Sequence, residues 1–123
     1  MKIAVDAMGG DFAPKEIVAG AILAAKRYDC EIVLVGDQTQ IQKELDKNYP
    51  EWRKSTISIH HASDVVGMGE HPGVAVRRKK DSSIVVATRL VKEGKCDAVL
   101  SAGNTGAAAA SALFILGRIK GID

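Results

Sequence analysis

Short runs of β-branched and aliphatic residues alternate along this chain with longer segments whose apolar residues recur at helical spacing, and few architectures accept that alternation. The run Ile32-Val33-Leu34-Val35 is the most restrictive of these. Apolar at every position, it reads as a strand buried on both faces, which belongs in a parallel sheet covered by helices. Ile3-Ala4-Val5 reads as a first strand, Thr56-Ile57-Ser58-Ile59 as a less buried one with period two, and Ala98-Val99-Leu100 as the last. Ile17, Val18, Ala21, Ile22 and Ala25 follow Pro14, which suits a first helical position. Ile41 and Leu45 mark a polar helix after Gly36-Asp37. Asp81-Ser82-Ser83 is a helix-start signal, with Ile84, Ala87, Leu90 and Val91 following it up to Gly94. A final helix opens at Asn104-Thr105 and ends at Gly117, whereas Val65 to Val76, with Gly67, Gly69, Pro72 and Gly73, reads as a loop. The expected fold class is α/β, a mainly parallel sheet with helices on both faces.

With 123 residues, 46% hydrophobic and 26% charged, the chain has an ordinary folding composition and the size of one α/β domain, residues 1–123. Seventeen Lys and Arg against fifteen Asp and Glu leave a net charge of +2, too small to imply a nucleic-acid partner. Aromatics at 4% are too few for base-stacking platforms. Cys30 and Cys96 make no disulfide framework, and Met1-Lys2-Ile3-Ala4-Val5-Asp6 turns polar before a signal-peptide core could form. A reduced, cytoplasmic setting is expected. The longest apolar stretch, Ala107 to Leu116 with Ser111 inside it, is about half of the ~20 residues that a membrane-spanning helix needs. It is still more apolar than so small a sheet readily buries. That points to the amino-terminal portion of a longer α/β protein, or to a partner that covers the sheet edge.

Ligands of open parallel sheets bind beyond the carboxyl ends of the strands. Those positions hold Asp6-Ala7-Met8-Gly9-Gly10-Asp11, Gly36-Asp37 and Ser101-Ala102-Gly103-Asn104-Thr105-Gly106. Glycine lets a backbone approach a ligand closely, and a helix entrance offers free N–H groups, so two of these loops suit phosphate or a carboxylate. Glycines that only shape tight turns are the plainer account of either loop alone. Named phosphate motifs are absent: no G-x-x-x-x-G-K-[ST] occurs, and Gly67 to Gly73 is one residue too long for G-x-G-x-x-G. Arg77-Arg78-Lys79-Lys80 stands before Asp81-Ser82-Ser83, where basic charge would oppose a helix dipole unless an anion or an acidic partner sits there. A solvated loop capped by Asp81, Ser82 or Ser83 is the alternative. His60 and His61 would point to opposite faces of a strand, and His71 has no partner at ligand spacing, so no metal is expected. Both cysteines precede strands and read as structural thiols on the far rim.

Together, Met1 to Pro14 (MKIAVDAMGGDFAP), Arg78-Lys79-Lys80-Asp81-Ser82-Ser83 and Ser101 to Ala107 (SAGNTGA) resemble, in order, segments of the PlsX-type phosphate acyltransferases of phospholipid synthesis. The resemblance covers all 123 residues, and family members are considerably longer. It implies a fold similar to that of isocitrate dehydrogenase and phosphate acetyltransferase. It implies transfer of a fatty acyl group from acyl carrier protein to orthophosphate, giving an acyl phosphate for a downstream membrane glycerol-3-phosphate acyltransferase. No cofactor is expected. A cytoplasmic homodimer is expected, with contact at the inner face of the membrane left open.

On the matching positions, Asn104 and the Gly103–Gly106 backbone are expected to donate to an oxyanion or phosphate, Lys79 and Lys80 to neutralise charge, and Asp6 and Asp11 to orient these groups. Asn104, Lys80 and Asp6 carry the catalytic expectation. Gly9, Gly10, Asp11, Lys79, Ser82, Ser83, Ser101, Gly103, Thr105 and Gly106 carry the phosphate- or substrate-binding one. A coenzyme A-dependent phosphate acetyl- or butyryltransferase, a decarboxylating dehydrogenase of the same fold, and a non-catalytic binding module remain the alternatives.

Overall fold

The computed structural model describes residues 1–119 and 121. Strands β1 (Lys2–Asp6), β2 (Glu31–Gly36), β3 (Ile57–His61) and β4 (Ala98–Ser101) form one sheet in the order β3-β2-β1-β4. Every neighbouring pair is parallel, with Val5 opposite both Leu34 and Leu100. Helices α1 (Lys15–Arg27), α2 (Gln38–Asn48), α3 (Pro72–Arg78), α4 (Ser83–Lys92) and α5 (Thr105–Ser111) surround the sheet, with a 3-10 turn at Trp52–Lys54.

The β2 run is buried from both sides. Ile32 and Leu34 pack with Val18 and Ile22 of α1 and Ile41 and Leu45 of α2, while Val33 and Val35 pack with Ala87 and Leu90 of α4. A further cluster joins Val66, Ala75, Val76, Ile84, Val85 and Ala107, so α3, α4 and α5 share one layer. Local chemistry supports these elements. Asp37 Oδ1 caps α2 by accepting from the Gln40 N–H at 3.1 Å. Pro14 stands one place earlier than expected, at the N-cap of α1.

Two readings change. The expected loop from Val65 to Val76 contains the start of a helix, because Pro72 occupies a first-turn position and His71 Nδ1 accepts from the Val74 N–H at 3.3 Å. Proline breaks helix interiors but is at home in their first turn, where its missing N–H costs nothing. Half of the basic run therefore does not oppose a helix dipole. Arg77 and Arg78 lie in the last turn of α3, where positive charge is favourable. The final helix also changes character. After α5 it continues as a π-helical turn, Ala112–Leu116, closed by the Gly117 N–H on the Ala112 carbonyl at 2.9 Å. Leu113 and Phe114 in that turn stay half-exposed, at 49% and 50%.

β4 is an edge strand, and its Leu100 is 62% exposed beside an apolar groove of about 630 Å³ lined by Ile3, Val5, Ile17, Ala21 and Ala24. Among the described residues, no helix is long and apolar enough to cross a membrane.

The packing predicts opposite outcomes for two small changes. Leu34→Ala empties a fully buried site and should cost about 2–5 kcal/mol in urea unfolding. Gly20→Ala, inside α1 with nothing within 4 Å of the added carbon, should gain about 0.5–1 kcal/mol in the same measurement.

Candidate functional site

The strand order places a switch point between β1 and β4. The chain leaves β1 through α1 towards β2, while β4 joins on the opposite flank. Loops that diverge at such a point open a crevice beyond the strand ends, where ligands of these sheets bind. Here the two glycine loops meet.

Asp6 ends β1 and is only 4% exposed, so its carboxylate must be satisfied within the protein. Its Oδ1 accepts from the Met8 N–H at 3.1 Å and its Oδ2 from the Ser101 hydroxyl at 3.0 Å. The Ser101 oxygen in turn accepts from the Gly103 N–H at 3.1 Å. One carboxylate thus shapes the turn after β1 and, through a hydroxyl, the turn after β4. Between them the backbones touch. A Cβ on Gly103 would stand 2.8 Å from Gly9 Cα, and one on Gly9 would stand 2.7 Å from Asp6 Oδ2. Gly10, at φ +98, faces the Ala102 carbonyl and also needs the left-handed region. Among the described residues, no protein acceptor engages the N–H groups of Gly9, Gly10, Thr105 or Gly106.

The side chain of Asn104 is directed elsewhere than expected. Its Oδ1 caps α5 by accepting from the Ala107 N–H at 3.0 Å. Its Nδ2 donates to the carbonyls of Gly67, Met68 and Glu70 at 3.1, 3.4 and 3.2 Å. Asn104 therefore pins the segment between β3 and α3 beside the glycine loops. Gly106 faces the first residue of α3, since a Cβ there would collide with the Pro72 ring.

Lys79 holds that segment from its other side. Its Nζ donates to Glu70 Oε2 at 2.7 Å and to the Val65 carbonyl at 2.9 Å, with Asp64 at 4.0 Å. The Lys79 hydrogen bond, helped by the Gly67 N–H at 2.6 Å, holds the Glu70 carboxyl below its ordinary range. Glu70 in turn raises Lys79 above its own, against a smaller opposing effect of burial.

The remaining expected residues are dispersed. Asp11, Thr105 and Lys80 are exposed. Ser82 and Ser83 are buried at the start of α4 with no partner for either hydroxyl among the described residues, and Ser82 makes no side-chain cap there. Arg77 lies over the Phe114 ring at 4.9 Å. Cys30 and Cys96 precede β2 and β4 on the opposite rim, and burial raises the Cys96 thiol. His61 Nδ1 accepts from the Gln38 N–H. No group of His, Cys, Asp and Glu suited to a metal ion occurs among the described residues. The residue that sequence reasoning missed is Glu70. Its signal was available, because it is the only acid between Asp64 and Asp81, in a stretch that carries four bases.

A family profile described as "Fatty acid synthesis protein" matches residues 1–123. The chain belongs to this family, that of the PlsX-type proteins. A relative from Desulforamulus reducens, named phosphate acyltransferase, is 63% identical over the whole chain, which covers 36% of it. Relatives of the same name from Pelotomaculum thermopropionicum (35% covered) and Clostridioides difficile (36% covered) are 59% and 50% identical across the whole chain. The chain thus spans about 35% of the length of these relatives.

Two outcomes test the geometry. Gly103→Ala forces a carbon against the Gly9 backbone, which no side-chain rotation relieves, and should cost about 1–3 kcal/mol. Gly69→Ala, with open space around it, serves as the control in the same thermal melt. The Glu70–Lys79 pair should show in pH dependence. Glu70 contributes fully above its ordinary value of 4.5, and the contribution fades as the pH falls through its lower folded value. Lys79 contributes fully below 10.5 and fades as the pH rises through its higher folded value. Glu70→Gln should therefore flatten the acid limb of Tm against pH below 4.5, and an unchanged limb would refute the pairing.

Proposed function

We propose that the whole protein transfers a fatty acyl group from an acyl carrier thioester to orthophosphate, and that the switch-point loops of this chain hold the reacting anions. The observation that carries this reading is the contact of Gly9 with Gly103 at the β1–β4 switch point, which gathers N–H groups that no acceptor among the described residues engages. The family match supplies the chemistry to set beside it.

The reaction asks little of side chains. Near neutral pH orthophosphate already carries nucleophilic oxygen. One such oxygen attacks the thioester carbonyl carbon, and negative charge gathers on the carbonyl oxygen. The C–O bond then forms fully as the C–S bond breaks, and the thiolate departs and takes a proton from water. A thiol with pKa ~8.5 leaves without strong acid help. What remains is to orient two substrates and to stabilise an oxyanion, which fixed backbone donors do well. Neither cysteine is needed as a nucleophile. The exposed bases Arg78 and Lys80, with Arg77, offer a docking face for an acidic carrier. The reading includes a cytoplasmic homodimer whose acyl phosphate is consumed by a membrane glycerol-3-phosphate acyltransferase.

Full-length protein incubated with acyl carrier thioester should release thiol only when orthophosphate is present, with acyl phosphate trapped as a hydroxamate. Phosphate-independent release would reject the reading. A coenzyme A thioester, run alongside, reports the donor. Cys30→Ala with Cys96→Ala should leave turnover within a few-fold of the parent, whereas an acyl group trapped on either sulfur would replace direct attack with a ping-pong mechanism.

A further inference from the structure

The segment between β3 and α3 is fastened by Lys79 on one side and Asn104 on the other, and Glu70 takes part in both fastenings. The Glu70 N–H donates to the Gly67 carbonyl at 3.2 Å, closing a turn. Its own Oε2 accepts from the Gly67 N–H at 2.6 Å and from Lys79 Nζ at 2.7 Å. An exposed ion pair alone contributes little, but this carboxylate also serves as the acceptor for a backbone donor within its own turn. On the far side of the turn, the carbonyls of Gly67, Met68 and Glu70 converge on Asn104 Nδ2. An amide nitrogen has two protons to share among these three oxygens, so the carbonyls form a cup that fixes the plane of the amide. The other end of that amide caps Ala107, one residue beyond Gly106.

The same geometry bears on Lys79. Glu70 neutralises it at contact distance, and Asp64 stands at 4.0 Å. Its ammonium is a clamp on this segment more than an open seat for an anion.

We propose that Glu70 is a positioning residue for the switch-point loops: its carboxylate closes the Gly67–Glu70 turn into the cup that fixes Asn104 and, through Asn104, the backbone N–H groups of Thr105 and Gly106. The kinetic consequence rests on the acyl-transfer reading; the structural one does not. Loss of the carboxylate leaves the Gly67 N–H and Lys79 without their shared acceptor, and the three carbonyls lose their common direction. Donors that are aimed only in the transition state then lose their aim, which lowers kcat more than it raises KM.

The test uses the full-length enzyme with Glu70→Ala, Glu70→Gln, Asn104→Ala and the Glu70→Ala, Asn104→Ala pair. Glu70→Ala and Asn104→Ala should each lower kcat by about 10- to 100-fold with the orthophosphate KM moved less than about threefold. The double variant should be no worse than the more damaging single one, because both act through one unit. Glu70→Gln keeps an oxygen for the Gly67 N–H and should recover most of the loss. A Glu70→Ala protein that melts lower but turns over normally, or effects that simply multiply, would overturn the proposal.

Hydrogen exchange at the Thr105–Ala107 amides gives a readout independent of the reaction. Faster exchange in Glu70→Ala supports the proposal, and unchanged exchange overturns it. If the parent forms no acyl phosphate, the acyl-transfer reading falls and exchange alone decides on Glu70. Should Glu70→Ala fail to fold, Glu70→Ser, which likewise removes the carboxylate, is read by the same exchange measurement, with the same two outcomes.

Discussion

A buried carboxylate with no basic partner among the described residues is the constraint around which this fold is arranged. Asp6 gives up water at the end of β1 and receives in exchange one backbone N–H and one hydroxyl. Those two donors come from the loop after β1 and from the last residue of β4. Satisfying Asp6 therefore fixes the spacing between β1 and its last-added neighbour, and that spacing leaves room for two glycine backbones and nothing larger. Ser101 is the piece that turns a local requirement into a long-range one, since its oxygen serves Asp6 as donor and Gly103 as acceptor.

Around this centre the polar residues divide by what faces them. Asp6 and Ser101 act on the backbone of the glycine loops directly. Asn104, Glu70 and Lys79 act on the segment that flanks those loops, and each is already engaged by protein atoms. The exposed cations Arg78 and Lys80 lie outside both groups.

Much of the fold was legible because its strands are short and its helices strongly periodic. The β2 run could not be mistaken, since four consecutive apolar residues need helices on both sides. The α3 helix was hidden by its own first turn, where Pro72 and Gly73 read as breakers although a proline there starts a helix. That one misreading moved the basic run from the end of one helix to the start of the next. At the site, the residues of the two glycine loops were legible from their place after β1 and β4, but the direction of the Asn104 amide was not. Its acceptors are carbonyls from residues more than thirty positions earlier, and a carbonyl has no signature in a sequence.

The β1–β4 pairing also sets an order of events. β1 can pair with β2 after a loop of one helix, yet Asp6 waits for Ser101, 95 residues further along the chain. Contacts at such separation form late, because loop closure must precede any reward from the contact. During synthesis, the sheet can therefore exist as β1, β2 and β3 while the Asp6 carboxylate is still hydrated and the first glycine loop still free. Emergence of the Ser101–Gly106 segment is the step that joins β4 to the three earlier strands and brings the second glycine loop against the first.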